Sequence, residues 1–301
     1  MTRRSGTRGR RVVRAVLATL AAVAVTAAGL SGLVIWQHSY DLREQAVTVR
    51  RNGRILQGVL ALPERGKGPF PLVVVVHGDG PVDATHDTFY RPIWESFARA
   101  GYATLSWNKP GVGGAPGNWL DQSMGDRAAE ALDAIAWARQ RPDIDGGRIG
   151  LWGASQAGWV LPKIAAEDPG IRFAIAVSPA VNWLRQGRYN LLAELRRDGA
   201  SDADIAAALR GVPVLLALAG HDVNVDTAET EAAYRRLLPE PALRVAHYPD
   251  AAHSLVGHDV ENSSLRLTLT ALCAPRALFA DGFLDDQRRF LATLADRGER
   301  R

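Results

Sequence analysis

The sequence has few of the residues that build cross-linked or metal-bound proteins. Its 301 residues include a single cysteine, Cys273, which excludes a disulfide framework within the chain. The cysteine and the seven histidines show no spacing typical of a zinc site. Repeats, low-complexity tracts, a P-loop and a dinucleotide fingerprint are also lacking, and the glycine-rich stretch after Pro110 has the wrong spacing for a phosphate loop. We therefore expect no metal and no cofactor.

The net positive charge of the chain comes from one short segment. The formal net charge is +4, but residues 1–14 hold six arginines and no acidic residue, so the rest of the chain has a net charge of −2. The basic balance therefore belongs to an N-terminal tail, and we expect no nucleic-acid partner.

A long uncharged segment follows this tail. Residues 15–36 form an apolar run that would span roughly 33 Å as a helix, enough to cross a bilayer. With arginines before it, the run predicts a single-pass anchor that places the rest of the chain outside the cytoplasm. A signal peptide cleaved near residues 26–28, followed by secretion, is the alternative. Arg10-Arg11 also resembles a weak twin-arginine export signal.

The remainder is predicted to be one α/β domain over residues 45–301, after a linker at 37–44. An Asn52-Gly53 turn between two strand-like runs predicts a β-hairpin. Apolar strands then alternate with helices, which predicts an open, mostly parallel sheet with helices on both faces. The predicted strands are 72–78, 102–108, 148–154, 172–179, 212–220 and 243–249, and the predicted helices are 89–100, 123–141, 156–167, 227–238 and 284–296.

Residues 180–211 interrupt this alternation. They look helical and contain no strand pattern, so they form an insertion at the edge of the sheet where ligands bind in such folds. A lid over the site and a plain helical crossover are both consistent with the pattern.

The stretch around Ser155 predicts a nucleophile. An apolar strand ends in a tight turn to a helix, and the residues two before and two after the serine, Gly153 and Ala157, are small. The usual form of this turn has glycine at both places, so Ala157 is a departure. The start of the following helix directs N–H groups toward an oxyanion that would form beside Ser155.

A serine nucleophile in such a turn requires an acid and then a histidine later in the chain. Asp222 is the first carboxylate after the strand at 212–220, and Asp226 is an alternative that also suits a helix N-cap. His253 follows the last strand in a loop that can reach the sheet edge. His247 lies inside that strand, and His258 lies further along the chain. We expect His253 to take the Ser155 proton while Asp222 orients the imidazole.

The loop after the first central strand predicts the second oxyanion donor. Two glycines, Gly78 and Gly80, let the backbone approach a substrate oxygen closely. The expected donors are the N–H groups of Asp79 and Gln156; the alternative is that His77 and the glycines only shape a turn.

Taken together, the segments that begin at His77, Asn108, Gly153, Ala219 and Pro249 resemble the α/β-hydrolase superfamily over about residues 45–300. The resemblance is closest to bacterial serine esterases and acyl hydrolases, some of them dienelactone-hydrolase-like or acyl-CoA-thioesterase-like. It implies a triad of Ser155, Asp222 and His253. One residue separates Gly220 from Asp222 where two are commoner in the superfamily.

These features predict hydrolysis of a small carboxylic ester through an acyl-serine intermediate. Thioester or peptide hydrolysis by the same machinery remains open, as does a catalytically inactive, membrane-anchored binding protein. Trp119 and Trp183 lie beside predicted edge loops and are candidates to line an acyl pocket, although large aromatic residues more often serve packing.

Overall fold

The computed structural model describes residues 5–181, 212–238 and 240–298, with side chains described from residue 13 to residue 294 within these ranges. The strands are β1 (Leu42–Arg51), β2 (Arg54–Pro63), β3 (Phe70–Val76), β4 (Ala103–Trp107), β5 (Ile144–Ala154), β6 (Ile171–Val177), β7 (Val214–Ala219) and β8 (Leu243–Tyr248). The helices are α1 (Ser5–Gln37), α2 (Arg91–Arg99), α3 (Met124–Ala138), α4 (Leu161–Glu167), α5 (Thr227–Leu237), α6 (His258–Glu261), α7 (Ser264–Cys273) and α8 (Phe283–Gly298).

The strands form a single sheet in the order β1-β2-β4-β3-β5-β6-β7-β8. The first two pairings in this order are antiparallel and the rest are parallel. The predicted hairpin is present, with Asn52 and Gly53 both at positive φ in the turn between β1 and β2. Parallel pairing from β4 to β8 brings the carboxyl ends of β3, β5, β7 and β8 to one edge of the sheet, where ligands bind in such folds.

Helices cover both faces of the sheet, as expected. One hydrophobic cluster joins the sheet to α3, α4 and α5, and a second joins the opposite face to α2 and α8. The central strand β3 is buried along its whole length, which explains its continuous run of apolar residues. The α/β prediction and the mostly parallel sheet are therefore confirmed.

Several predicted boundaries differ from those observed. Strand β5 begins at Ile144, four residues before its predicted start. The helix expected from Gln156 is instead a 3-10 turn, Ser155–Trp159, followed by α4 from Leu161. Pro162 stands in the first turn of α4, where its missing N–H costs nothing, so the α-helix starts there rather than at Gln156.

The C-terminal region contains helices that the sequence patterns did not reveal. Helix α7 and the short α6 fill residues between β8 and the predicted last helix, which is observed as α8. The predicted insertion at 180–211 falls almost wholly outside the described residues.

The N-terminal segment is one continuous helix. Within α1, Val13–Gln37 is long and apolar enough to cross a membrane, and none of this span is buried against the rest of the chain. Length and composition alone fit either a membrane anchor or a signal sequence. Strand β1 begins at Leu42, so only four residues, 38–41, separate it from α1.

Candidate active site

Ser155 occupies a strained turn at the edge of the sheet. It directly follows β5 and has a φ of +54°, a left-handed conformation that non-glycine residues rarely adopt. Strain of this kind persists only where the surroundings hold it, and it is concentrated at functional sites. The serine therefore stands at the tip that the sequence pattern predicts for a nucleophile.

Small residues make this turn possible. A methyl group added at Gly153 would lie 2.6 Å from Cβ of Ala157, and one at Gly158 would lie 2.5 Å from the carbonyl oxygen of Ala180. The N–H of Ala180 also donates to the Ser155 carbonyl over 3.0 Å. Ala157 is fully buried and fills the place where a second glycine is usual. The turn thus accepts alanine at residue 157 because residue 153 has no side chain.

Asp222 and His253 form a hydrogen-bonded pair at the ends of β7 and β8. The carboxylate oxygens of Asp222 lie 2.8 and 2.9 Å from Nδ1 of His253. A carboxylate can only accept, so Nδ1–H donates and the lone pair of the neutral ring is on Nε2. The Asp222 side chain is fully buried, while that of His253 is 14% exposed.

Backbone groups hold the Asp222 carboxylate in place. The N–H groups of Asn224 and Val225 donate to its Oδ1 over 2.9 and 2.8 Å. Burial raises the pKa of Asp222, but the hydrogen bond and charge of His253 together with these N–H groups lower it more, so its pKa lies below the ordinary value. Asp222 is thus held as an anion.

The alternative acid has a different place in the structure. Asp226 caps α5 by accepting a hydrogen bond from the N–H of Glu229 over 2.9 Å. This is the N-cap role that the sequence suggested for it.

The other candidate histidines make different contacts. His247 lies on β8 and contacts Glu231 of α5, with Nε2 and Oε2 2.6 Å apart. His258 begins α6, where its ring stacks on His221 at a centroid distance of 3.9 Å. Of the three candidates, the structure pairs only His253 with Asp222.

No hydrogen bond joins the Ser155 hydroxyl to His253 within the described part of the chain. Catalytic hydrogen bonds are often long in ligand-free proteins and shorten when substrate binds. Ser155 and the Asp222–His253 pair share the carboxyl edge of the sheet, with the tip of β6 between them.

The loop after β3 lies directly beside Ser155. A methyl group at Gly78 would come within 3.6 Å of Cβ of Ser155. The two expected oxyanion residues also meet here, since Nε2 of Gln156 lies 3.4 Å from Oδ1 of Asp79. Among the hydrogen bonds of the described residues, none uses the backbone N–H of Asp79 or of Gln156.

Two buried basic side chains, whose role the sequence analysis did not identify, hold this loop. Arg127 of α3 donates to the carbonyl oxygen of His77 and, over 3.4 Å, to that of Gly78. Its other terminal nitrogen donates to Oε1 of Gln156. Lys109 follows β4, and its Nζ donates to the carbonyl oxygens of Gly78 and Gly80 over 2.6 and 2.9 Å. By binding carbonyls, the two side chains fix the orientation of the peptide groups in the loop.

Burial changes the protonation of groups around the loop. Desolvation lowers the pKa of Lys109 to about 7 and the pKa of His77 to about 3. His77 is therefore neutral, and its Nε2–H donates to the carbonyl of Trp107 over 2.6 Å. It serves as a structural link between the ends of β3 and β4. The sequence signal that could have pointed to Arg127 is an arginine next to the alanines that form the core-facing side of α3.

The two tryptophans proposed for substrate contact differ in what the structure describes. Trp119 is half-buried, and Nζ of Lys109 lies 5.3 Å from the centroid of its ring, a cation–π distance. It is thus next to the loop at 77–80. Trp183 lies outside the described residues.

Residues suited to metal binding do not cluster in the described ranges. They contain no group of three or more histidine, cysteine, aspartate or glutamate side chains placed to hold an ion.

Comparisons with known proteins agree with this fold. The model of the X-Pro dipeptidyl-peptidase (S15) family matches residues 52–247. An uncharacterized peptidase of Bacillus subtilis, YuxL, is 23% identical over 163 residues, which cover 52% of this chain and 24% of that protein. A protein of Emericella nidulans named "Probable dipeptidyl-aminopeptidase B" is 27% identical over 210 residues, covering 63% of this chain and 23% of that protein. The chain thus spans about a quarter of the length of these curated relatives.

A solved structure is similar over most of this chain. Est1E from Butyrivibrio proteoclasticus has a TM-score of 0.61 and 16% identity, over 85% of this chain and 99% of that protein. At this identity, the likeness concerns the fold.

Proposed function

This chain belongs to the X-Pro dipeptidyl-peptidase (S15) family, and we propose that it is a serine hydrolase that cleaves a carboxylic ester through an acyl-serine intermediate. One observation carries the proposal: a serine in a left-handed turn shares a sheet edge with a buried aspartate that is hydrogen-bonded to a histidine over 2.8 Å. That arrangement supplies a nucleophile, a general base and an orienting acid.

In the proposed reaction, Oγ of Ser155 attacks the ester carbonyl carbon, and its proton moves to Nε2 of His253. The carbonyl oxygen becomes an oxyanion that accepts hydrogen bonds from the N–H groups of Asp79 and Gln156. Asp222, held as an anion, stabilises the imidazolium that has formed.

The intermediate then loses its alcohol. The carbon–oxygen bond to the leaving group breaks, and His253 gives its proton to the departing alkoxide, which leaves an acyl-serine. A water molecule then attacks the acyl carbon, with His253 again taking the proton. The bond between the acyl carbon and Oγ of Ser155 breaks, and His253 returns the proton to Oγ, which releases the acid and regenerates the serine. We place esters first because an alcohol leaves more readily than an amine.

Peptide hydrolysis is the second candidate, and the family match favours it. The same steps apply, except that His253 must protonate an amine before the peptide bond breaks. Thioesters follow the same course with a thiolate leaving group.

For substrate binding we propose that Trp119 lines an acyl pocket beside the loop at 77–80. Trp183 is proposed for the same role from its place in the sequence. Trp119→Ala should alter the preference among acyl chain lengths, and Trp183→Ala should do likewise. If a variant hydrolyses esters of every chain length as well as the wild type does, the tryptophan that it replaces does not line the pocket.

We also propose that α1 anchors the chain as a single span, with the hydrolase domain outside the cytoplasm. The support is its length, its apolar composition and the arginines before it. Membrane fractionation together with the mass of the mature chain distinguishes this from secretion after cleavage.

A fluorophosphonate probe tests the enzyme proposal directly. We expect it to label the wild type and not Ser155→Ala. Ser178→Ala is a matched control, because Ser178 also follows a strand at positive φ and is fully buried. Equal labelling of Ser155→Ala would overturn the proposal in favour of another nucleophile, and an unlabelled wild type would overturn it in favour of an inactive binding protein.

Turnover then identifies the substrate class. Short-chain nitrophenyl esters and X-Pro nitroanilides should be compared at equal enzyme concentration. The ester proposal predicts a higher kcat/KM for the esters, whereas a preference for the anilides would establish the peptidase candidate instead.

A further inference from the structure

Helix α7 has an apolar surface that faces away from the domain. Leu265, Leu269 and Leu272 are 70%, 50% and 52% exposed. Their spacing places them on one side of the helix, because residues four and seven apart lie on the same face. The better-covered residues of α7, Thr270 and Ala271, lie on the other side.

Exposed apolar surface is concentrated in this helix. Outside α1, seven large hydrophobic residues of the described part of the chain are exposed, and four of them belong to α7: the three of the stripe and Leu267, which is 37% exposed and lies on another side of the helix. Single exposed apolar residues are ordinary on protein surfaces, but a contiguous stripe marks an interaction site.

The stripe lies where the candidate membrane span enters the domain. His38, the first residue after α1, contacts the carbonyl oxygen of Leu272 through Nε2 over 2.9 Å. Trp36, at the end of the span, is 68% exposed, and tryptophan is common at the level of lipid headgroups. The surface from which the span would emerge is therefore adjacent to the stripe.

Charged residues fix this arrangement. Arg276 follows α7 and donates to the carbonyl oxygens of Gln37 and Ser39 over 2.7 and 2.8 Å. It also pairs with the buried Glu95 of α2, which in turn accepts from the N–H of Asp41 over 3.1 Å. The end of α1 is thus tied to α2 and to the segment after α7, so the span and the stripe keep a fixed relation.

We propose that α7 is an interfacial helix whose Leu265–Leu269–Leu272 stripe inserts into the headgroup region of the bilayer that α1 spans. A helix with one apolar face gains free energy from burying that face at the acyl boundary. With the span, this second contact sets the orientation of the sheet edge relative to the membrane. The inference rests on the proposed membrane anchor.

The only cysteine of the chain allows a direct test. Cys273 is exposed at the end of α7, on the flank of the stripe. The full chain is labelled there with the fluorophore NBD and reconstituted into phosphatidylcholine–phosphatidylglycerol vesicles, some of which carry lipids with a doxyl quencher near the headgroup. We expect blue-shifted emission that the doxyl lipids quench.

Two variants complete the design. Cys273→Ser/Ala232→Cys moves the label to an exposed position on α5, on the opposite face of the sheet, where we expect no quenching. Leu265→Asp/Leu269→Asp should reduce quenching of the Cys273 label to that level. Hydrolysis of a soluble nitrophenyl ester should match the wild type, since both leucines are exposed and neither belongs to the candidate site.

The outcomes separate the two proposals. If the chain fails to float with the vesicles, the anchor and the interfacial helix are both overturned. If it floats but the Cys273 label is not quenched, only the interfacial helix is overturned. Quenching at both label positions would indicate unspecific adsorption and would also overturn it. Blue-shifted, unquenched emission of the labelled chain, together with disulfide-linked dimers through Cys273 in the unlabelled chain, would replace the lipid by a second copy of the chain.

Discussion

Two regions flank Ser155, and they are held in place by different means. On the side of β7 and β8, Asp222 and His253 contact each other, so a negative group faces a group that can become positive. On the side of β3, Arg127 and Lys109 contact neutral backbone carbonyls of the loop at 77–80. The first region suits the movement of a proton. The second suits the fixing of dipoles.

In the proposed reaction, the Asp222–His253 side would transfer the proton, whereas the loop side would hold the oxyanion donors in place beforehand. Donors aimed at a developing oxyanion act strongly because they need not reorganise during the reaction. The two basic side chains that donate to the carbonyl oxygens of the loop would hold its peptide groups in this way. The proposed acid–base pair, in contrast, acts through its own side-chain atoms. Variants in the two regions should therefore fail in different ways.

The largest effect is expected in the acid–base region. Asp222→Asn should lower kcat for an ester by about 10⁴-fold, because an amide no longer selects the histidine tautomer or stabilises the imidazolium. The measurement is steady-state hydrolysis of a nitrophenyl ester.

Asp226→Asn is the matched control for this prediction. Asparagine caps a helix about as well as aspartate, so α5 and kcat should both be retained. A large loss of kcat in Asp226→Asn, with little in Asp222→Asn, would reverse the assignment of the acid.

A smaller effect is expected in the loop region. Arg127→Met should lower kcat by about 10²-fold, the scale of losing one oxyanion donor, with a smaller change in KM. The carbonyl of His77 would lose its partner, which should also lower the free energy of unfolding by about 1–3 kcal/mol. Separate measurement of kcat, KM and urea unfolding tests both effects.

Arg139→Met distinguishes a positioning role from a general structural one. Arg139 follows the same helix α3 but pairs with Asp168 over 2.8 Å, away from the loop. We expect this variant to lose stability and keep kcat. If both variants lost kcat in proportion to stability, Arg127 would have no role in positioning the loop.

The lowered pKa of the buried Lys109 predicts that the stability of the protein depends on pH. Burial lowers its pKa in the folded chain to about 7, below the ordinary 10.5. Between these values the unfolded chain binds more protons than the folded chain, so the free energy of unfolding should rise with pH, by up to about 1.4 kcal/mol per unit. Lys109→Met should lose this rise, whereas Lys67→Met, at an exposed lysine, should retain it. Urea unfolding at pH 7 and pH 9 measures this rise. An equal change in the free energy of unfolding between the two pH values in all three proteins would contradict the prediction.

The same two regions show what the sequence could predict. The turn at Ser155 has a local signal, because an apolar strand and flanking small residues appear within ten positions. Asp222 and His253 were found in the same way, since each follows a predicted strand and chain order restricts the choice. Their hydrogen bond agrees with the prediction, while their catalytic role remains a proposal.

The loop region was only partly predictable because its supports are distant in sequence. Arg127 is about fifty residues from His77, and only the packing of α3 against the sheet brings them together. The missed helix α7 has another cause. Its leucines face outward rather than toward the core, so the pattern that marks a core-facing helix does not apply to it.

The smallest expected effect concerns the unusual alanine in the Ser155 turn. Gly153→Ala alone should destabilise the protein by about 1–3 kcal/mol, because the new methyl group would lie 2.6 Å from Cβ of Ala157. Ala157→Gly alone should cost about 0.5–1 kcal/mol through added backbone freedom. The double variant removes the clashing pair of carbons, and the contact left at Leu161 involves a side chain that can move.

The double variant should therefore be more stable than Gly153→Ala, with a coupling free energy of about 0.5–3 kcal/mol from a double-mutant cycle of urea unfolding. Additive effects would mean that the two small residues are not complementary. The turn would then accept alanine at 157 for a reason unrelated to Gly153. Coupling would show instead that either place can hold the single methyl group that the turn allows, so that glycine at both is one solution among several for presenting Ser155.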